Sequence, residues 1–348
     1  MSDPGHQATP RLHVGTYDRG GGAGLYPVDY SAATGWSVGE PCVEARNASF
    51  GACSARHGLH YFVDEHAEGA LGVFRTSPTG WEQLARVPTH GAQPCYVALN
   101  GDENMLAVAN YGSGCVALFR LDDATGLPVN SPVVRTNAGG GPVADRQEAP
   151  HAHCVTFNRN QRWLYHVDLG TDEILAYPLN SADDAPRLAY QAPAGSGPRH
   201  LAFHPILPFA ILVSELASTL TVLQVEEGRF YARQTISTLP EHSHSDSLGG
   251  HLSLNAAGDR AYVTNRGHDS IAVFAWSDIG VLRLLQHVSS GGASPRAFVL
   301  LEAERQLVLA NEEAGNVTGF DLQPDGTLSP WSAALPLPGA AFVMIVPG

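Results

Sequence analysis

The sequence predicts an all-β fold, a single seven-bladed β-propeller spanning residues 1–348, with four-stranded antiparallel blades. Three observations predict it. The chain of 348 residues is 44% apolar but only 16% charged, and it carries 37 Gly and 24 Pro; soluble domains average about 25% charged residues, so this balance favours short strands and tight turns over long surface helices. One motif then recurs seven times: an apolar strand, a short polar or Gly-containing turn, and a second apolar strand. Finally, the turns fall at Thr16, Asp64, Asn110, Asp168, Ser214, Asn265 and Asn311, at successive spacings of 48, 46, 58, 46, 51 and 46. A repeat of about 40–50 residues with several strands is the signature of a propeller blade.

Taken in order, the first hairpin is LHVGTYDRGGGAGLYPV around Thr16, and no inner strand precedes it. Each of the other six has an apolar strand about 14 residues ahead of its turn, beginning near Phe50, Tyr96, His153, His200, His251 and Arg296. The missing inner strand reappears at the end of the chain as Ala340-Ala-Phe-Val-Met-Ile-Val, which predicts ring closure in the blade begun by the N-terminus and removes an exposed edge. Residues 1–10 are expected to form a flexible tail. The spacing of 58 holds an extra loop, Asn137 to Pro150, whose Gly139-Gly-Gly-Pro lacks a strand–helix setting and is expected to be a flexible rim loop rather than a phosphate cradle.

Charge sets limits on partners. Twenty basic residues, all Arg, oppose 34 acidic ones for a net of −14, a surface that repels nucleic acid and anionic membranes. No run of about 18 apolar residues is present, so no spanning helix is expected. The start of the chain shows no signal peptide, and five cysteines without a Cys-x-x-Cys pair fit a reduced cytoplasm. Monomer and homodimer both stay open.

In a propeller, equivalent positions of successive blades form rings about the axis. The first inner-strand position reads Phe50, Tyr96, His153, His200, His251, Arg296, Phe342, and the position after each turn reads Tyr17, Glu65, Tyr111, Leu169, Glu215, Arg266, Glu312. His151 and Arg199 adjoin the first ring. Charges facing a channel are costly unless paired or hydrated, so the set His153, Arg199, Glu215 and Arg266 is the candidate catalytic centre, able to hold an anion and move a proton. His151, His200, His251, Arg296, Tyr111 and Asn311 are candidate substrate contacts. His57, His60, His66, His242 and His244 fall in turn-like stretches and are expected at the surface. The rival for the ring histidines is zinc, held by His151, His153, His200 and His251; no metal or other cofactor is expected. Gly35-Trp-Ser-Val-Gly39 has the form of a nucleophile elbow, but Pro41 follows and no helix does, so Ser37 is read as an outer-strand residue.

Arg146-Gln-Glu-Ala-Pro-His-Ala-His153, Val167-Asp-Leu-Gly-Thr-Asp172, Gly197-Pro-Arg-His-Leu-Ala-Phe-His204, Ser214-Glu-Leu, Asn265-Arg-Gly-His-Asp-Ser270, Ala109-Asn-Tyr-Gly112 and Ser294-Pro-Arg296 closely resemble the seven-bladed propeller lactonases, a family that includes propeller-type 6-phosphogluconolactonases and carboxy-muconate cyclases. The match runs in register over essentially the whole chain. It implies a metal-independent enzyme that opens a small anionic or sugar-derived lactone, with a cluster of His153, Arg199, Glu215 and either Arg266 or Arg296. His251-Leu252 departs from the Glu-Ile of many relatives. Either Glu215 or His153 would be the general base. The alternatives are a lactone-closing cycloisomerase of the carboxy-muconate type and a non-catalytic scaffold.

Overall fold

A computed structural model of the chain describes residues 11–31, 34–77, 80–179, 185–243 and 246–346. The expected N-terminal tail and His244 lie outside the described residues. The strands form seven sheets, six of four strands and one of five. Ala340–Val346 pairs antiparallel with Arg11–Thr16, and Leu12 faces Ile345. The first blade is therefore made from both ends of the chain, and the ring has no unpaired inner edge there.

Apolar alternation explains the packing. Each second strand is buried along its length: Leu59–Asp64 and Trp163–Asp168 have every residue buried. A strand covered on both faces reads as a nearly continuous apolar run. The core divides into seven apolar clusters, each lying mainly between two neighbouring blades. One joins Tyr165 and Val167 of the fourth blade to Leu212 and Phe230 of the fifth. No blade buries its faces alone, so the ring is one cooperative object. Hydrogen bonds repeat between blades as well. The Tyr61 hydroxyl donates to the Gly126 carbonyl at 2.7 Å, and Tyr262 donates to Gly326 at 2.9 Å.

Two sequence expectations change. His60 is buried on Leu59–Asp64, edge-on to Trp81 with ring centroids 4.8 Å apart, because its strand starts just after the turn. The 137–150 loop folds against the ring instead of standing free at the rim. Gln147 is 1% exposed and donates to the Leu169 carbonyl at 2.8 Å, and its own carbonyl accepts from Gly141 at 2.9 Å. A Cβ on Gly141 would lie 2.4 Å from the Gln147 amide oxygen, so that glycine serves close packing.

Candidate active site

The inner strands carry a recurring irregularity. Pairing skips one residue between Pro94 and Tyr96, between Ala152 and Cys154, between Pro198 and His200, and between Pro295 and Ala297. Each skip is a β-bulge, which leaves one residue unpaired and re-aims its side chain. The bulged residues are Cys95, His153, Arg199 and Arg296. The ring expected from sequence therefore mixed two levels. His153 and Arg296 share a level with Arg199, whereas His200 and His251 belong one residue further along with Phe50, Tyr96 and Phe342. A one-residue slip is invisible in a pattern of apolar runs, because the bulge interrupts the alternation that would reveal it.

Acidic turn residues hold three of the four bulges in place. Asp168 Oδ1 accepts the backbone N–H of His151 at 2.8 Å and of Gly170 at 2.9 Å. Asp172 accepts from Gly195 at 2.7 Å and Gly197 at 2.8 Å, just ahead of Arg199. Asp269 does the same at Ser294, 2.8 Å, ahead of Arg296. Asp168 thus holds the inner strand of its own blade, whereas Asp172 and Asp269 each position the inner strand of the next.

Glu215 is the hub. It is 1% exposed, and its backbone is held on both sides: its N–H donates to the Gly197 carbonyl at 2.6 Å, and its carbonyl accepts from Gly249 at 2.8 Å. Its Oε2 meets Arg199 Nε at 2.9 Å and an Arg266 terminal nitrogen at 2.6 Å, and its Oε1 meets Arg146 at 2.5 Å. The ring nitrogen Nε2 of His153 lies 3.7 Å from Oε2. Burial alone would push the Glu215 carboxyl up. The combined field of Arg266, Arg199, His153 and Arg146 overrides it and holds the group far below the usual carboxylate range. Burial, then Arg266, pushes the Arg199 guanidinium down to about 10 against the pull of Glu215, so it stays charged at neutral pH. Arg199 also donates to the Gly250 carbonyl at 2.8 Å. Arg266 Nε is buried and without a partner among the described residues.

Of the two arginines the sequence left open, Arg266 is the one on Glu215. Arg296 belongs to a second network, 3.0 Å from Glu312 and 3.5 Å from Glu65, with its guanidinium over the Tyr17 ring at 4.9 Å. Tyr17 donates to Glu65 at 2.6 Å, and Ser49 donates to the same oxygen. Arg19 closes on Glu312 at 2.6 Å. That network balances two guanidiniums with two carboxylates. The Glu215 cluster sets three guanidiniums against one carboxylate, leaving a local excess of two positive charges.

The remaining candidates separate by level. Tyr111 stacks on His151 at 4.5 Å and meets His153 edge-on at 5.5 Å. His151 is bound to the Tyr111 carbonyl at 3.0 Å and to Glu148 at 3.2 Å, so it props Tyr111 and does not face Glu215. His200 and His251 join an aromatic collar, 5.3 Å apart; Phe50 lies 6.1 and 6.2 Å from them, and Tyr96 lies 5.1 Å from His200. Asn311 is not brought to the cluster. Its amide donates to Asn316 at 2.8 Å and to Thr318 at 3.2 Å within its own blade, as the turn requires. Among the described residues no three His, Cys, Asp or Glu side chains converge as metal ligands. Sequence reasoning missed Arg146. Its signal was present, since it opens the motif that ends at His153, but its loop was expected to be free.

Residues 11–345 match the family model described as Lactonase, 7-bladed beta-propeller.

The chain belongs to the seven-bladed β-propeller lactonase family.

It is 31% identical over 337 residues to the 6-phosphogluconolactonase of Bacillus subtilis, covering 94% of this chain and 96% of that one. Among solved structures, the periplasmic gluconolactonase PpgL of Pseudomonas aeruginosa superposes with a TM-score of 0.87 at 28% identity, over 97% of this chain and 99% of that one. A protein from Lactobacillus plantarum gives a TM-score of 0.87 at 26% identity, with the same coverage of 97% and 99%. Among the described residues no helix of this propeller lactonase family member is long and apolar enough to cross a membrane.

The collar histidines carry a stability prediction. Burial first, then Arg199, lowers the proton affinity of His153, His200 and His251, the last to about 3. An unfolded imidazole titrates near ~6.5. Below that pH the unfolded chain takes up protons that the native state refuses, so stability is full above pH ~6.5 and falls on acidification. His251 Nδ1 is also buried without a partner among the described residues. His251→Phe is expected to retain the ring packing, add about 1 kcal/mol, and flatten the loss of Tm between pH 6.5 and 4. A variant with the wild-type acid slope would contradict this.

Proposed function

We propose that the chain hydrolyses a sugar-derived lactone of the 6-phosphogluconolactone type to the open-chain acid. The observation that carries this reading is the buried Glu215–His153 pair inside a cluster with two excess positive charges, in a family member related to named lactonases. The pair takes a proton from water as the oxygen attacks the lactone carbonyl carbon. The carbonyl π pair moves onto oxygen, which the charged Arg266 guanidinium, 14% exposed, stabilises. The tetrahedral carbon then expels the ring oxygen, which takes the proton back from the pair as the ring C–O bond breaks. Such base and acid assistance is typically worth ~10²–10⁴-fold. Arg199 touches both Glu215 and Gly250 and fixes the carboxylate.

A cavity of about 760 Å³ lies at the far ends of the inner strands beside Phe157, Phe203 and Phe209; no carboxylate is among its lining residues, and Nδ1 of its one imidazole, His204, already accepts the backbone N–H groups of Ile206 at 3.0 Å and Leu207 at 2.9 Å. A cytoplasmic setting is part of the proposal, supported by five unpaired cysteines.

The test is a turnover panel of phosphorylated and plain sugar lactones with a carboxy-muconate, run with and without chelator. Lactone opening that is insensitive to chelator is expected. Failure to open any lactone overturns the reading, and loss of activity with chelator overturns its metal-free form.

A further inference from the structure

Three guanidiniums hold Glu215, but they are not equivalent. Arg199 and Arg266 lie on the strands Pro198–Phe203 and Arg260–Arg266 and share Oε2. Arg146 comes from the 137–150 loop, alone binds Oε1, and has a side chain 32% exposed against 3% for Arg199 and 14% for Arg266. Its second contact, to the Tyr111 hydroxyl, is long at 3.4 Å. The loop backbone beside it is pinned: Gln147 holds the Leu169 carbonyl, and the Val143 N–H donates to the Gln147 side chain at 3.2 Å. Arg146 can therefore leave Glu215 by side-chain rotation alone, while its backbone stays in place.

We propose that Arg146 is a latch released by the substrate: it holds Glu215 Oε1 in the free protein and transfers to the anionic group of the incoming lactone. The inference rests on the lactonase reading above. Its chemistry follows from charge. The site carries two positive charges more than it neutralises, and a phosphate monoester, with a charge of about −1.5 to −2 near pH 7, offers a guanidinium a stronger bidentate partner than an oxygen already inside a crowded ion cluster. Once Arg146 has moved, Oε1 is free for the attacking water. The Glu215–His153 pair loses one compensating cation and gains a nearby anion, and both changes raise its affinity for a proton. A neutral lactone leaves the latch closed and the pair a weak base. Discrimination thus appears in kcat as well as in KM.

The experiment compares the wild-type chain with Arg146→Ala and Arg146→Lys. In Arg146→Ala, KM for the phosphorylated lactone is expected to rise about ten- to a hundredfold, and kcat for the plain lactone to rise. The acid limb of kcat/KM, which reports the free enzyme, should move to higher pH, and Arg146→Lys should return part of the KM. In the wild type, the acid limb of kcat should lie above that of kcat/KM for the phosphorylated lactone and coincide with it for the plain one. An unmoved acid limb, or equal losses on both lactones, overturns the latch. Calorimetry separates this from failure of the lactonase reading. With 6-phosphogluconate and gluconate as probes, the phosphorylated acid should bind the wild type about ten- to a hundredfold more tightly than Arg146→Ala, and gluconate should bind both alike. Equal affinity of 6-phosphogluconate for the two proteins overturns the latch even where lactones are hydrolysed.

Discussion

Glu215→Gln is expected to lower kcat/KM for lactone opening by at least ~10²-fold and also to destabilise the fold. The second effect is decided by the structure. A carboxylate at a channel mouth in water could be replaced with little change in the unfolding midpoint. Instead, Glu215 is 1% exposed and is the shared counter-charge of Arg146, Arg199 and Arg266. Removing one member of a buried ion pair typically costs about 3–5 kcal/mol, because the partner is left uncompensated. In a chain of this length that lowers Tm by roughly 4–7 °C. The double variant Arg199→Met/Glu215→Gln should regain part of the lost Tm and none of the activity, which separates the two effects. A single variant with wild-type turnover, or with an unchanged midpoint, would remove Glu215 from its role as hub.

Truncation after Gly339 is expected to abolish cooperative unfolding. The lost strand, Ala340–Val346, is the inner strand of the first blade and the pairing partner of Arg11–Thr16. It buries Phe342, Val343, Met344 and Val346. At ~1.5–3 kcal/mol for each large buried side chain, the loss is on the order of 10 kcal/mol, comparable with the 5–15 kcal/mol that holds a typical domain folded. The unpaired strand Arg11–Thr16 would also present an open edge to other chains. Differential scanning calorimetry of the truncated chain should show no single sharp transition. Retention of one within a few degrees of the full chain would mean that the ring does not depend on this closure.

Much of this arrangement could be read from residues alone. The repeat spacing depends on hairpin turns, and turn chemistry is local; Thr16, Asp64, Asn110, Asp168, Ser214, Asn265 and Asn311 all fall at the ends of second strands. Closure by the last strand followed from counting inner strands. Glu215 and Arg266 were legible because they stand at matched places after their turns, and His153 and Arg199 because each lies at or beside the start of an inner strand; the structure brings these four together. Asn311 was also at a matched place, but a buried turn amide is used by its own blade.

What escaped the sequence depends on atoms far apart in the chain or on a shift of one residue. The bulges that align His153 with Arg199 and Arg296 insert a residue without changing composition, so no periodicity reveals them. The choice between Arg266 and Arg296 turned on which carboxylate each guanidinium reaches. Arg146 meets Glu215 across 69 positions because Gln147 anchors its loop. The acidic balance of −14 with no Lys sets the expectation against polyanionic partners from composition alone. That this acidic chain gathers three arginines around one buried carboxylate was decided by the ring. Sequence determines which groups each blade contributes; only closure about an axis brings groups from separate blades within a few ångströms, where Coulomb energies become large enough to set protonation.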